Sequence, residues 1–184
     1  MKVIFSRKGF DSKYGKGYSP ILPSGAMLSM PIPASDGESG VRLNDIEWRD
    51  RSYTEAIEGL YPKLQGDELF HFDPELHRNS RKGRHELWLP AFGQVGSAQS
   101  HLVSQEVEEG DLFLFFGSFV RTHRNDKDDL CWEKEHEFHA IFGYLQIGEI
   151  LDSAAIANGE KKLLYSDHPH FQNQKQYGDL NAIY

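Results

Sequence analysis

The sequence predicts an α+β domain built on a curved, mostly antiparallel sheet, or on a partly open β-barrel, with a few short helices. Three observations carry that expectation. The run GDLFLFFGSFV from Gly110 is apolar at each position from Leu112 to Phe116, which suits a strand covered on both faces at the centre of the core. The run HEFHAIFGYLQIGEIL alternates, with Phe138, Ala140, Phe142 and Tyr144 on one face and His139, Ile141, Leu145 and Ile147 on the other. That is the period of a second strand, again read as covered on both sides. Gly143 and Gly148 interrupt it, and a missing side chain within a strand marks a bulge, a bend or a close approach. Between the two runs, Arg121 to Glu137 holds ten Asp, Glu, Lys or Arg residues and reads as a long, solvated hairpin connection.

The other elements follow in order. Lys2 to Ser6 reads as a short strand that runs into the glycine-rich basic turn RKGFDSKYGKG. Residues 19–33 read as two short strands about a Pro-Ser-Gly turn, with prolines suited to an edge, and residues 34–44 as a polar loop. Ser52 and Glu55 form an S-x-x-E capping box, and Tyr53, Ile57, Leu60 and Tyr61 recur at helical spacing, so a helix is expected over 53–61. Residues 66–88 read as irregular. Ala98 to Glu106 can form a helix. The tail is polar up to LLYSDHPHFQNQ and ends at NAIY, which reads as the start of a strand: either a last strand paired in the sheet or a chain cut short.

The 184 residues suit one domain. Cys131 is the single cysteine, so no disulfide forms within the chain and no oxidising compartment is needed. The N-terminal apolar run is too short for a signal peptide and no stretch approaches the length of a membrane span, so a cytoplasmic location and no membrane partner are expected. A net charge of −8 disfavours a long nucleic-acid partner, because duplex affinity depends on neutralising many phosphates. Cations cluster only locally, at Arg7, Lys8, Lys13 and Lys16 and at Arg78, Arg81, Lys82 and Arg84, enough to hold a few phosphates.

Several segments carry chemistry. In the first turn, Arg7, Lys8 and Asp11 flank glycines whose N–H groups can converge on a phosphate or carboxylate; otherwise this is a solvated basic turn. Arg7 and Lys8 are read as exposed, so that replacing both with Ala weakens nucleotide binding and leaves the melting temperature within a few degrees. In LPAFGQVGSAQSHL, Gly93, Gly96 and Ser97 are placed at a helix N-terminus with free donors, and Gln94 and Gln99 can read a base or ribose edge. The alternative is glycines serving a tight turn. His101 points away from Gln99 around the helix and is the weaker inward candidate. His71 and Asp73 form a His-x-Asp pair, either an acid/base pair or a loop anchor, and His139 is a further acid/base candidate. His168 and His170 sit two apart, a spacing that permits one metal on an extended backbone, whereas His136 and His139 fall on opposite strand faces. Without Cys partners or an H-E-x-x-H helix, no metal and no cofactor is assigned.

FSRKGFDS (5–12), SPILPSG (19–25), HFDPEL (71–76), LPAFGQVGSAQSHL (89–102), GDLFLFFG (110–117), HAIFGYLQIGEI (139–150), HPH (168–170) and NAIY (181–184), in this order, resemble the nucleotide modification associated domain 3 family of bacteria and phages. Ser118 and Phe119 stand where that pattern carries a Trp. The resemblance implies a link to modified nucleotides or DNA bases and a bacterial host cytosol. The pattern of 110–150 also looks like the small curved barrels of the PUA, ASCH and EVE group, a fold analogy.

The first function expected is binding of a small nucleotide-type ligand: a modified nucleotide, or a cyclic nucleotide or ADP-ribose-type immune signal sequestered by a phage protein. The second is an enzyme that modifies or hydrolyses a nucleotide or base through His71, Asp73, His101 or His139. The third is an interaction domain whose basic turns are merely solvated. A homo-oligomer would present the glycine turn twice to one nucleotide. The pocket is expected to join the Arg7 turn, the Gly93–Gln99 segment and the face around His139.

Overall fold

The computed structural model describes residues 1–184 apart from 12, 14, 16, 65, 66, 135 and 136. Lys16 of the basic turn and His136, both named above, lie outside the described residues. The strands are β1 (Val3–Arg7), β2 (Ser19–Ile21), β3 (Ile32–Pro33), β4 (Glu47–Trp48), β5 (Arg51–Ser52), β6 (Phe70–His71), β7 (Gly93–Val95), β8 (Leu112–Arg124), β9 (Leu130–Trp132), β10 (Phe138–Gln146) and β11 (Asn181–Ile183). The helices are α1 (Tyr53–Ala56), α2 (Gly96–Ser104), α3 (Ser153–Ala157), α4 (Lys162–Tyr165), α5 (Pro169–Gln172) and α6 (Gln174–Tyr177). The fold is α+β, with short helices, mostly antiparallel pairing, and no sheet closed into a barrel among the described residues. No helix among them is long and apolar enough to cross a membrane.

The 13-residue β8 is the spine. Along one edge it pairs in parallel with β1 and then β2, and along the other it pairs antiparallel with β10 and then β9. Phe113 and Phe115 point inward and pack with Phe92, Leu102, Ile147, Ala182 and Tyr184. The opposite face is open: Val3, Phe5, Ile141 and Tyr144 are exposed there. The apolar run therefore marks the sheet centre, but the expectation of cover on both faces is corrected for β10 and for the first half of β8, where Leu112, Leu114 and Phe116 are half-buried, whereas each residue from Gly117 to Val120 is buried. β10 is an edge strand with one solvated side. Its register slips between Ile141 and Gly143, where a Cβ on Gly143 would lie 2.3 Å from Leu76 Cδ1, so the glycine does mark a bulge at a close approach.

The charged segment after β8 is more regular than a loop. β8 continues to Arg124, turns on Asn125, whose Oδ1 accepts the N–H groups of Lys127 and Asp129 at 2.9 Å each, and returns as β9. Among the described residues its charges are exposed, as expected, except for the half-buried Glu133. The capping box forms, with Ser52 Oγ accepting from Glu55 N and Glu55 accepting from Ser52 N. The helix it starts is shorter than expected, stopping at Ala56 ahead of Gly59, whose φ of +86° is left-handed. The tail holds four short helices where none was expected, and it ends in β11, paired with β7.

A second apolar cluster, with Phe10, Met30, Leu43, Ile46 and Phe70 at its heart, packs the loops between β2 and β6. A third, with Leu151, Ile156, Tyr165 and Ile183, seats the tail helices. Segments from all three parts of the fold meet at the residues described next.

Candidate functional site

Asp73 follows β6 and has a fully buried side chain. Its Oδ1 accepts the Gly93 N–H at 2.8 Å and lies 3.4 Å from His168 Nε2. Its Oδ2 lies 3.3 Å from Lys8 Nζ and 3.9 Å from His71 Nε2. Burial alone would push this carboxyl up, but Lys8, the His168 contact and the neighbouring imidazoles outweigh it and hold Asp73 well below the usual carboxylate range. Lys8 Nζ also rests 4.3 Å from the centre of the Phe92 ring.

His71 is fixed from its other side. Its Nδ1 lies 2.6 Å from Glu38 Oε1, and Tyr177 donates its hydroxyl to the same oxygen. Glu38 Oε2 accepts the Ser35 N–H at 2.8 Å. Burial raises the Glu38 pKa, but the hydrogen bonds from His71 and Ser35 prevail and lower it. His170 lies beside His71, ring centres 5.2 Å apart, with its Nδ1 2.7 Å from Asn181 Oδ1. Burial holds the His170 imidazole down from 6.5 to about 3, against the opposing pull of Asp73.

An ion-pair lattice fixes these segments against one another. Glu75 exchanges backbone hydrogen bonds with Ala91, which sets Asp73 beside Gly93. The buried Glu75 carboxylate pairs with Arg84 at 2.6 Å and Arg81 at 3.4 Å, and Arg81 reaches Asp167 at 3.2 Å. Lys82 pairs with Glu47 at 2.7 Å, and Arg78 donates to the carbonyl of His85 at 2.5 Å. The second cation cluster, read as able to hold phosphates, is thus engaged within the protein. Two expected N–H donors are engaged as well: Gly93 bonds Asp73, and Gly96 bonds the Leu180 carbonyl at 2.8 Å.

The cluster floors a cleft of about 480 Å³ lined by Arg7, Lys8, Asp11, Glu38, His71, Asp73, Gln94, His170 and Tyr177 among others. A second hollow of about 280 Å³ shares Gly9 and Asp73 with it and is walled by Trp48, Tyr53, Phe72 and Phe142. The sequence-derived candidates thus divide. Arg7, Lys8, Asp11, His71, Asp73 and Gln94 share the cleft, and Gly93 braces it from behind. Gln99 is buried elsewhere, accepting from Tyr184 Oη at 2.9 Å. His101 lines a separate groove with Lys2 and Gln105. Ser97 is exposed, Gly96 opens α2 and neither lines the cleft. His139 is exposed on β10, its ring against Phe116. The pocket expected to reach His139 and Gln99 is therefore corrected to one bounded by the tail helices.

Lys8 also departs from expectation. Arg7 is a half-exposed cation paired with Asp11 at 3.4 Å, whereas the Lys8 side chain is 18% exposed and compensates a buried carboxylate. Removing both is no longer expected to leave stability unchanged. Glu38, Tyr177 and Asn181 were not singled out in the sequence. The His168–His170 motif was, but on an extended backbone; instead His168 caps α5, its Nδ1 accepting the His170 N–H at 3.2 Å, with Pro169 at the first helical position.

Two predictions arise from this geometry. A Cβ on Gly93 would lie 2.1 Å from His170 Cδ2 and 2.2 Å from its Cγ, so Gly93→Ala must displace the ring. It should cost about 1–3 kcal/mol, the usual range for overpacking, in denaturant unfolding; an unchanged midpoint would contradict the packing. The second concerns pH. Because His170 titrates lower folded than its ordinary 6.5, the stability tied to its neutral form is complete above that value and is lost as pH falls toward about 3. Asp73, also held low, adds a loss at the acid end. The denaturation midpoint should fall steadily from pH 7 to pH 4, and a flat profile would contradict this.

Fold and cluster together define an α+β domain with a charge-dense cleft in which the Asp73 and Glu38 carboxylates meet the imidazoles of His71 and His170. The family model described as nucleotide modification associated domain 3 matches residues 2–184, and the chain belongs to that family. No curated protein and no solved structure matches it.

Proposed function

We propose that the cleft binds a small nucleotide-type ligand, with its anionic part at the Arg7–Lys8 turn and a polar edge at Gln94. The observation that carries this reading is the gathering of Arg7, Lys8, Gln94, His71 and Asp73 in one cleft, on a chain whose family is associated with nucleotide modification. A net charge of −8 suits a ligand with few phosphates. The aromatic hollow beyond Asp73 offers rings against which a base can stack. The analogy to PUA, ASCH and EVE barrels adds no support, and a modified nucleotide, a cyclic nucleotide and an ADP-ribose-type signal all fit this chemistry. The oligomer that belongs to this reading is a closed dimer presenting the glycine turn twice to one nucleotide.

The second reading, an enzyme acting on that ligand, is favoured by the floor of the cleft. Ligand capture alone does not call for a buried acid facing two imidazoles, an arrangement typical of reactive sites. The binding reading is tested by calorimetric titration with nucleoside monophosphates, cyclic nucleotides and ADP-ribose, comparing wild type with Arg7→Ala. Loss of one charge-assisted contact, about 1.5–3 kcal/mol, should weaken the best ligand at least tenfold. The melting temperature should hold, because the surface pair with Asp11 contributes little. Equal affinity in Arg7→Ala would remove the turn from the site.

A further inference from the structure

We propose that His71, Asp73 and His170 form a binding site for one divalent first-row transition-metal ion. One donor atom from each of the three lies within 4.8 Å of the others. Donors in a tetrahedral shell with a ~2.1 Å metal–ligand distance stand about 3.4 Å apart, so the widest pair closes by roughly an ångström as the ion binds.

The hydrogen bonds decide which atoms face the ion. The Nδ1 of His71 is directed at the Glu38 carboxylate, an acceptor, and therefore carries the proton, which leaves Nε2 with its lone pair toward Asp73 Oδ2 at 3.9 Å. Asn181 donates through Nδ2 to the His170 carbonyl and to Gln174, so its Oδ1 accepts from His170 Nδ1 and leaves the Nε2 of His170 as a lone pair. Two lone pairs and a carboxylate oxygen then converge, and acceptors facing acceptors in a buried site call for a cation.

His168 has the opposite tautomer. Its Nδ1 accepts the His170 N–H, so its wholly buried Nε2 carries a proton aimed at Asp73 Oδ1, without the alignment of a full hydrogen bond. It orients the carboxylate and is not a ligand. Glu38 and Asn181 stand where the outer partners of metal-bound imidazoles stand, holding each ring through the nitrogen away from the ion. Among the described residues the rival cation is Lys8, 3.3 Å from Oδ2, and its flexible stem allows it to yield that oxygen.

Two imidazoles and one carboxylate suit Zn²⁺, Fe²⁺ or Co²⁺ rather than Mg²⁺ or Ca²⁺, which prefer all-oxygen shells. The remaining coordination positions would face the cleft. There the ion would polarise a bound oxygen or activate water, and His71 and Asp73 would act by holding it rather than by moving protons themselves. This goes beyond the ligand reading and stands without it.

The test titrates the chelator-treated full chain with Co²⁺ alone, followed by visible absorbance, and then adds Zn²⁺. One equivalent of Co²⁺ should bring up d–d bands that one equivalent of Zn²⁺ abolishes. His71→Ala, checked for folding by circular dichroism, should lose at least about a hundredfold in affinity, and Glu38→Gln about 10–100-fold, the usual effect of removing an outer partner. A featureless spectrum of the folded wild type, or undiminished binding by folded His71→Ala, would overturn the site. The titration contains no nucleotide, so its failure leaves the ligand reading intact, and a failed nucleotide titration leaves the metal site intact.

Discussion

Asp73→Ala should cost about 3–5 kcal/mol in denaturant unfolding, the range for removing one partner from a buried charge pair. Its fully buried carboxylate serves the Gly93 N–H, Lys8 and His168 together. Truncation leaves a buried donor on the backbone, a buried imidazole N–H and a largely covered ammonium without their common acceptor. Asp73→Asn keeps the shape and one acceptor oxygen, so the smaller loss it shows would separate the charge contribution from the hydrogen bond. A cost below about 1 kcal/mol for the alanine variant, in the range of an exposed pair, would mean that water reaches the carboxylate and that the cluster is not the buried unit described above.

Phe115→Ala should also cost about 3–5 kcal/mol, as expected when a buried aromatic ring is deleted. Phe115 is wholly buried on β8. It meets Phe92 edge-on at 5.0 Å and stacks near Phe113 at 6.0 Å. The effect should reach the cleft, because Phe92 immediately precedes Gly93 and carries Lys8 above its ring. Calorimetric melting gives the cost, and nucleotide titration of the surviving folded fraction gives the coupling. An undiminished melting temperature would place the centre of the core elsewhere.

What the sequence reveals of this fold is local. Ser52 and Glu55 announce their cap because the interaction spans three residues, and Leu112–Phe116 announces a strand because its side chains are apolar without a break. Gly143 announces the bulge through the missing side chain. What it hides depends on distant segments. Nothing within residues 136–151 says that one face of β10 is left open, since Ile141 and Tyr144 are as apolar as a covered strand would need. The tail helices are too short for apolar periodicity to register, and their visible signals are the Asp152 cap and Pro169.

The candidate site follows the same division. His71 and Asp73 are neighbours and show as a pair, and the Arg7 turn shows through its glycines and cations. Gln99 misleads because a polar residue on a helix reads as solvent- or ligand-facing, while in the fold it meets Tyr184 in the core. Glu38 sits in a polar loop with no motif around it, and Tyr177 lies 139 positions away. Only the docking of the tail against β7 brings His170 to His71.

The most direct measurement is mass spectrometry of the wild-type chain after incubation with a panel of modified, cyclic and ADP-ribose-type nucleotides, with both bound and released material analysed. A small nucleotide retained by wild type and lost by Arg7→Ala is the expected result, and its recovery in altered form would add catalysis. Retention of nothing from the panel, together with duplex DNA binding that falls steeply with salt, would contradict the claim that this cleft is built for a small nucleotide.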